Sequence, residues 1–154
     1  MVGASEIRRV RRKARTCGVA SLSDELPLPI VNADSREYWQ GANQNRLMVR
    51  KCKACAALHF LPRHLCPHCW SDDLEWVAAA GTGTVHSFTV IRRAPLSSYA
   101  PRVPYVVALI DLDEGPRMMT NIVGDDALDT KIGDRVELRF EARGDQNLPQ
   151  FARA

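Results

Sequence analysis

The sequence is poor in aromatic residues, at 6% of its 154 positions, and it contains no apolar run of 18 residues. The first shortage leaves few rings for a base-stacking platform. The second removes a helical membrane span. No glycine-rich phosphate loop of the G-x-x-x-x-G-K-S/T kind occurs, and no Ser-His-Asp signature, so neither P-loop nucleotide hydrolysis nor serine-type acyl transfer is announced by a motif. After the early arginines, Cys17 to Asp24 is small and polar rather than apolar. A secretory signal is therefore not expected, and the chain reads as cytoplasmic.

Hydrophobic residues make up 45% and charged residues 25%, the balance of a globular domain. The formal charge of +3 is unevenly placed. Arg8, Arg9, Arg11, Arg12, Lys13 and Arg15 stand against Glu6 alone, a local +5 that leaves −2 for the remainder. The basic signal belongs to an arm, and residues 1–31 are expected to be flexible, with Pro27-Leu28-Pro29 near their end.

Residues 32–47 hold a short helix in this reading. Asp34 or Ser35 is placed to cap it, Glu37 lies in its first turn, and Tyr38, Trp39 and Ala42 share one face. Residues 48–77 carry the strongest signal in the chain, Cys52-x-x-Cys55 and, after ten intervening residues, Cys66-Pro67-His68-Cys69. In a reducing compartment two such pairs favour a metal over disulfides. Four thiolates close a tetrahedral shell and leave no open position for water or substrate, so one structural Zn²⁺ is expected, with iron as the alternative occupant. His59, His64 and His68 are then surplus donors and read as surface or knuckle residues. Ala56 and Trp70 follow the pairs where a knuckle commonly places glycine. The fifth cysteine, Cys17, lies in the arm and reads as an ordinary free thiol.

From residue 78 to 154 the texture becomes all-β. Thr82–Arg93, Val103–Leu112 and Arg117–Val123 are rich in β-branched or apolar residues, Val136, Leu138 and Phe140 alternate with charged residues, and a last strand uses Leu148–Phe151. The alternation assigns Phe140 to the core. Asp111, Asp113 and Glu114 read as a solvated turn rather than an acid/base site. His86 and Ser87 are strand neighbours on opposite faces, unsuited to a nucleophile–base pair. Five short strands without a crossover helix fit a small OB-fold barrel, and a small sandwich would also accommodate them. The fold class expected is mainly β: a short N-terminal helix, a rubredoxin-like zinc ribbon, then an OB-fold β-barrel.

Taken in order, Tyr38-Trp39-Gln40-Gly41 before Arg46-Leu47, the two cysteine pairs, Gly83-Thr84-Val85-His86-Ser87-Phe88-Thr89-Val90, Pro104-Tyr105-Val106-Val107-Ala108-Leu109 and Leu148-Pro149-Gln150-Phe151 resemble the zinc-ribbon plus OB-fold, acyl-CoA-associated family known as domain of unknown function 35. The resemblance covers about residues 34–154. It implies a non-catalytic accessory subunit that sits beside a thiolase-like, condensing, hydratase or lyase enzyme and helps position a CoA thioester or complete the assembly. Tyr38, Trp39, Arg63, Arg92 and Arg93 are the candidate contacts for CoA or the partner. Two other functions compete with this one. A nucleic-acid-binding module would use the basic arm, but the body at −2 and the scarce aromatics argue against it. A free-standing acyltransferase would need Cys17 or His86.

Overall fold

The computed structural model describes residues 26–154; the basic cluster and Cys17 lie outside them. Among the described residues one α-helix, α1 (Arg36–Asn43), is followed by strands β1 (Met48–Cys52), β2 (Leu58–His59) and β3 (Leu74–Ala78), then β4 (Thr82–Ile91), β5 (Tyr105–Leu112), β6 (Arg117–Ile122), β7 (Arg135–Arg143) and β8 (Gln146–Arg153). Two short 3₁₀ turns, Ser97–Arg102 and Ala127–Asp129, bridge β4 to β5 and β6 to β7.

Ser35 stands at the N-cap of α1 without capping it through its side chain. Its hydroxyl turns back to Asn32 Oδ1 at 2.8 Å, so the Asn32–Ser35 turn uses the group that the sequence assigned to the helix. The helix is held at its other end. Asn43 Oδ1 accepts the Asn147 N–H at 2.8 Å, and Asn43 Nδ2 donates to Asp145 O at 3.3 Å, tying α1 to the β7–β8 turn. Gly41 and Ala42 are buried, small enough for the helix to lie close to its neighbours.

The ribbon is a three-stranded antiparallel sheet in the order β2-β1-β3, with Arg50 opposite both His59 and Trp76. The barrel is closed, in the order β4-β5-β6-β8-β7, and β7 returns to β4 through Thr82↔Glu137, Gly83↔Val136 and Thr84↔Arg135. This five-stranded Greek-key arrangement is that of an OB-fold rather than a sandwich. Its weakest seam is the parallel contact of β6 with β8, which rests on the single pair Ile122↔Phe151.

Alternation decides what enters the core. Along β5, Val106, Ala108, Ile110 and Leu112 are buried while their neighbours are half-exposed. They form one cluster with Val85, Met118, Ile122, Val136 and Phe151, and that cluster also takes in Leu47, Val49 and Tyr38. Helix, ribbon and barrel therefore share a core. Phe140 departs from its alternation: it is half-buried and outside this cluster. It pairs with Pro149 in the part of the β7–β8 hairpin that runs on beyond the Arg135–Glu137 stretch where β7 closes onto β4.

Candidate metal centre and adjoining surfaces

Cys52 ends β1, and its amide donates to Ala57 O at 2.9 Å; the Cys66 amide donates to Ser71 O at 2.9 Å. These two tight loops turn both cysteine pairs toward one point. The Sγ atoms of Cys52, Cys55, Cys66 and Cys69 all lie within 4.8 Å of one another, and the Cys52–Cys69 and Cys55–Cys66 separations are both 3.6 Å. A tetrahedron of thiolates at a Zn–S distance of about 2.3 Å has edges of about 3.8 Å. The donor set therefore fits a four-thiolate metal site, with Cys52 and Cys66 inside and Cys55 and Cys69 facing out.

The electrostatics point the same way. The Cys55 backbone N–H brings the Cys52 thiol down to about 7. At Cys69 the Ser71 backbone N–H acts downward, but the neighbouring thiols Cys55, Cys52 and Cys66 together with burial prevail and push it up to about 12. Four thiolates cannot be held this close without a cation to balance them.

The turn after each pair has φ of 62° at Ala56 and 64° at Trp70, the left-handed region where knuckles commonly place glycine. Trp70 is 75% exposed.

The three histidines separate. His64 and His68 are exposed, but His59 is not a surface residue: it is only 8% exposed, and its Nδ1 bonds Leu61 O at 2.9 Å. Strand β2 carries its ring inward, and two residues are too short a strand to show in sequence periodicity. Arg63 is exposed on the rim of a cleft of about 430 Å³ that runs between the ribbon and the β5–β6 turn. Arg92 and Arg93 are exposed beyond the end of β4 and do not line that cleft. Tyr38 is buried edge-on between Trp39 and Phe60, at ring separations of 5.0 and 5.8 Å, so it acts through packing, and its hydroxyl is pushed above its ordinary range by burial. Trp39 is half-buried and, with Phe60 and Met119, borders a cleft of about 200 Å³ beside the β6–β8 seam.

The acidic group on β5 is not merely solvated. Asp111 is gripped by Arg117 and by His86 Nδ1 at 3.1 Å, and Asp113 takes both Arg135 Nη atoms at 2.7 Å. Arg117 holds the Asp111 carboxyl below its usual range, and Arg135 does so more strongly for Asp113, helped by the Thr82 hydroxyl. Glu114 Oε1 accepts the Ala80 N–H. His86 reaches Asp111 because a β-bulge between Val85 and Ser87 breaks the alternation of β4.

A second polar group escaped the sequence reading. Tyr99, Arg102, Glu141, Arg143 and Gln150 converge on a cleft of about 240 Å³, with Gln150 and Arg102 both bonded to Glu141. These residues come from three separate segments, and only folding brings them together.

A ribbon with a four-thiolate centre, packed through a common core onto a five-stranded barrel, defines the class as a zinc-ribbon–OB-fold protein. Family models agree: residues 39–75 match the rubredoxin-like zinc ribbon domain of ChsH2, and residues 76–141 match its C-terminal OB-fold domain. A solved structure titled "Ltp2-ChsH2(DUF35) aldolase" superposes with a TM-score of 0.73 at 40% identity, covering 82% of this chain and 98% of that one. The chain belongs to the DUF35 family. It is 38% identical to a DUF35 domain-containing scaffold protein of Methanothermobacter thermautotrophicus, over 58% of this chain and 68% of that one. It is 41% identical to a Thermomonospora curvata protein named "Probable enoyl-CoA hydratase alpha subunit", over 81% of this chain and only 39% of the relative.

Proposed function

We propose that the chain is a non-catalytic accessory subunit that docks on a thiolase-like, hydratase, lyase or other acyl-CoA-processing enzyme and helps to position a CoA thioester or complete the assembly. One structural Zn²⁺ occupies the four cysteines, and the setting is cytoplasmic, in keeping with four free thiols among the described residues. The observation that carries the reading is the pairing of a four-thiolate donor set, enough to fill a tetrahedral shell, with a barrel whose exposed carboxylates Asp111 and Asp113 are engaged by arginine. Such a site gives shape rather than chemistry. The names of the relatives, a scaffold protein, a hydratase subunit and an aldolase complex, support an assembly role for the same two domains. Trp39 and Arg63 remain the contacts proposed for partner or CoA, as do Arg92 and Arg93 beyond the end of β4.

Affinity purification of the tagged chain from its native host, followed by mass spectrometry and an absorbance check for nucleic acid, tests the proposal. Near-stoichiometric recovery of an acyl-CoA-processing enzyme is the expected result. Recovery of nucleic acid that is lost at high salt and on deleting residues 1–16, with no such enzyme, would overturn it.

A further inference from the structure

The cleft of about 240 Å³ bordered by the Ser97–Arg102 turn and strands β5 to β8 is organised around a carboxylate whose oxygens are already taken. Glu141 Oε1 accepts from Arg102 Nη1 at 2.8 Å and from Arg143 Nη2 at 3.3 Å, and its Oε2 accepts from Gln150 Nε2 at 2.6 Å. Burial acts to raise this carboxyl, yet Arg102, Gln150 and Arg143 together hold it below its ordinary range. Two guanidinium groups on one carboxylate leave one positive charge uncompensated, because no other residue lining the cleft is charged.

Accessible donors accompany that charge. The Arg102 side chain is 45% exposed and gives only Nη1 to Glu141; its Nε and Nη2, which share the other edge of the guanidinium, have no acceptor among the described residues. Tyr99 accepts from Arg143 Nη1 at 2.9 Å, so its own phenol proton is left to donate. Tyr105 stands beside it, with ring centroids 5.8 Å apart and planes tilted by 42°, and Ile122 and Val123 complete an apolar wall. A guanidinium edge with two parallel N–H groups matches the two oxygens of a carboxylate. The rings and the aliphatic wall match a compact apolar body. The volume is below the usual range of drug-sized sites, which limits that body to about one ring or a short branched chain. A cation would meet the wrong charge, and an inorganic anion would leave the wall uncovered.

We infer that this cleft is a binding site for a small aromatic or similarly compact monocarboxylic acid, its carboxylate on the Nε–Nη2 edge of Arg102 and the Tyr99 hydroxyl, its body against Tyr105, Ile122 and Val123. The site goes beyond the accessory-subunit reading and does not rest on it.

Benzoate is the probe, added to the zinc-loaded full chain and followed by saturation-transfer NMR and calorimetric titration. One-to-one binding is expected. Acetate, which lacks the ring, should bind more weakly, as should benzamide, which lacks the charge, while benzylamine should not bind. Arg102→Ala, at an exposed position, should weaken benzoate binding about tenfold or more through loss of a charge-assisted contact. Arg102→Lys keeps the charge without the fork and should recover only part of that loss. Tyr99→Phe keeps the ring and removes the hydroxyl, and should weaken binding about threefold or more. Arg139→Ala, outside the cleft, should not change it. Zinc content and thermal midpoint of each variant separate lost binding from lost fold. No binding at high millimolar benzoate, equal binding of benzamide or benzylamine, displacement by inorganic phosphate or CoA, or parental affinity in Arg102→Ala overturns the site. Capture of the partner enzyme is unaffected by such a failure, so the two proposals fail separately.

Discussion

Ala56 and Trp70 occupy equivalent positions in the two knuckles: each places its backbone in the left-handed region, at φ 62° and 64°, and each donates its amide to the carbonyl of the first cysteine of its pair, Cys52 at 2.8 Å and Cys66 at 3.0 Å. The fold requires the same turn twice and makes it twice without glycine. A side chain in this region costs roughly 1–2 kcal/mol, and glycine loses part of that advantage through its freer unfolded chain. Ala56→Gly should therefore stabilise the zinc-loaded protein by about 0.5–1 kcal/mol, read as a higher urea midpoint at an unchanged slope. An unchanged or lowered midpoint would show that the metal has already absorbed the strain.

Metal removal should act first on the ribbon and then on what shares its core. Leu47 and Val49 lie in one cluster with Val85, Val106 and Phe151, so loosening β1 exposes one side of the barrel core. Elemental analysis should find one zinc per chain, and Cys66→Ser should abolish it. Under chelation, hydrogen exchange should quicken throughout residues 48–77 while the centre of β5 stays protected. Simultaneous loss of protection in β5 would mean that ribbon and barrel unfold as one unit.

Much of this architecture could be read in advance, and for identifiable reasons. The cysteine spacing announces its own geometry, because two C-x-x-C loops have few ways to share an ion. The β-branched run of β4 and the turn at Glu114-Gly115-Pro116 mark strand limits by local chemistry alone. The failures fall where the answer depends on a distant segment. Ser35 lost its capping role to Asn32, three residues upstream, and Phe140 lies outside the core cluster, in the part of its hairpin beyond the stretch of β7 that closes onto β4. His59 reads as a surface or knuckle residue in the sequence because a two-residue strand has no periodicity to show. The carboxylates of Asp111 and Asp113 looked solvated because their arginines, Arg117 and Arg135, stand on other strands.

Asp113 predicts a dependence on pH. Arg135 and then Thr82 hold its carboxyl far below the ordinary value of about 3.9. A carboxyl depressed on folding contributes stability that is complete above the unfolded value and is lost as pH falls through the folded one. The stability difference between the parent and Asp113→Asn should thus be constant above about pH 5 and shrink as pH drops below the unfolded value. Acid release of the metal affects both proteins alike, so the difference isolates the ion pair. Urea midpoints measured between pH 2 and 7 would decide it; a difference that grows toward low pH would contradict the assignment.

Gly83 sits where β4 leaves the ribbon side of the barrel, and a Cβ there would come within 2.6 Å of the Asp111 carbonyl oxygen and 2.7 Å of Ile110 Cγ2. The first obstacle is backbone in a paired strand, so no rotamer change relieves it. Gly83→Ala should destabilise the barrel by about 2 kcal/mol, visible as a lower thermal midpoint with the zinc content unchanged. A neutral effect would require β4 and β5 to part more easily than their eight-pair register allows.

Trp39 tests whether the helix serves the partner as well as the core. Its ring stands edge-to-face on the buried Tyr38, with centroids 5.0 Å apart, yet it is only half-buried and borders the cleft beside the β6–β8 seam. Removing a fully buried aromatic side chain costs about 3–5 kcal/mol, and a half-buried one about 2 kcal/mol. Aromatic anchors at interfaces often cost more than that in binding alone. Trp39→Ala should accordingly leave a folded, zinc-loaded chain of reduced stability, and its affinity for the captured acyl-CoA-processing enzyme should fall by about thirtyfold or more. Surface plasmon resonance below the variant's unfolding temperature separates the two effects. Normal affinity in a destabilised variant would confine Trp39 to the core and move the docking surface elsewhere, with the exposed indole of Trp70 at the ribbon tip the next residue to replace.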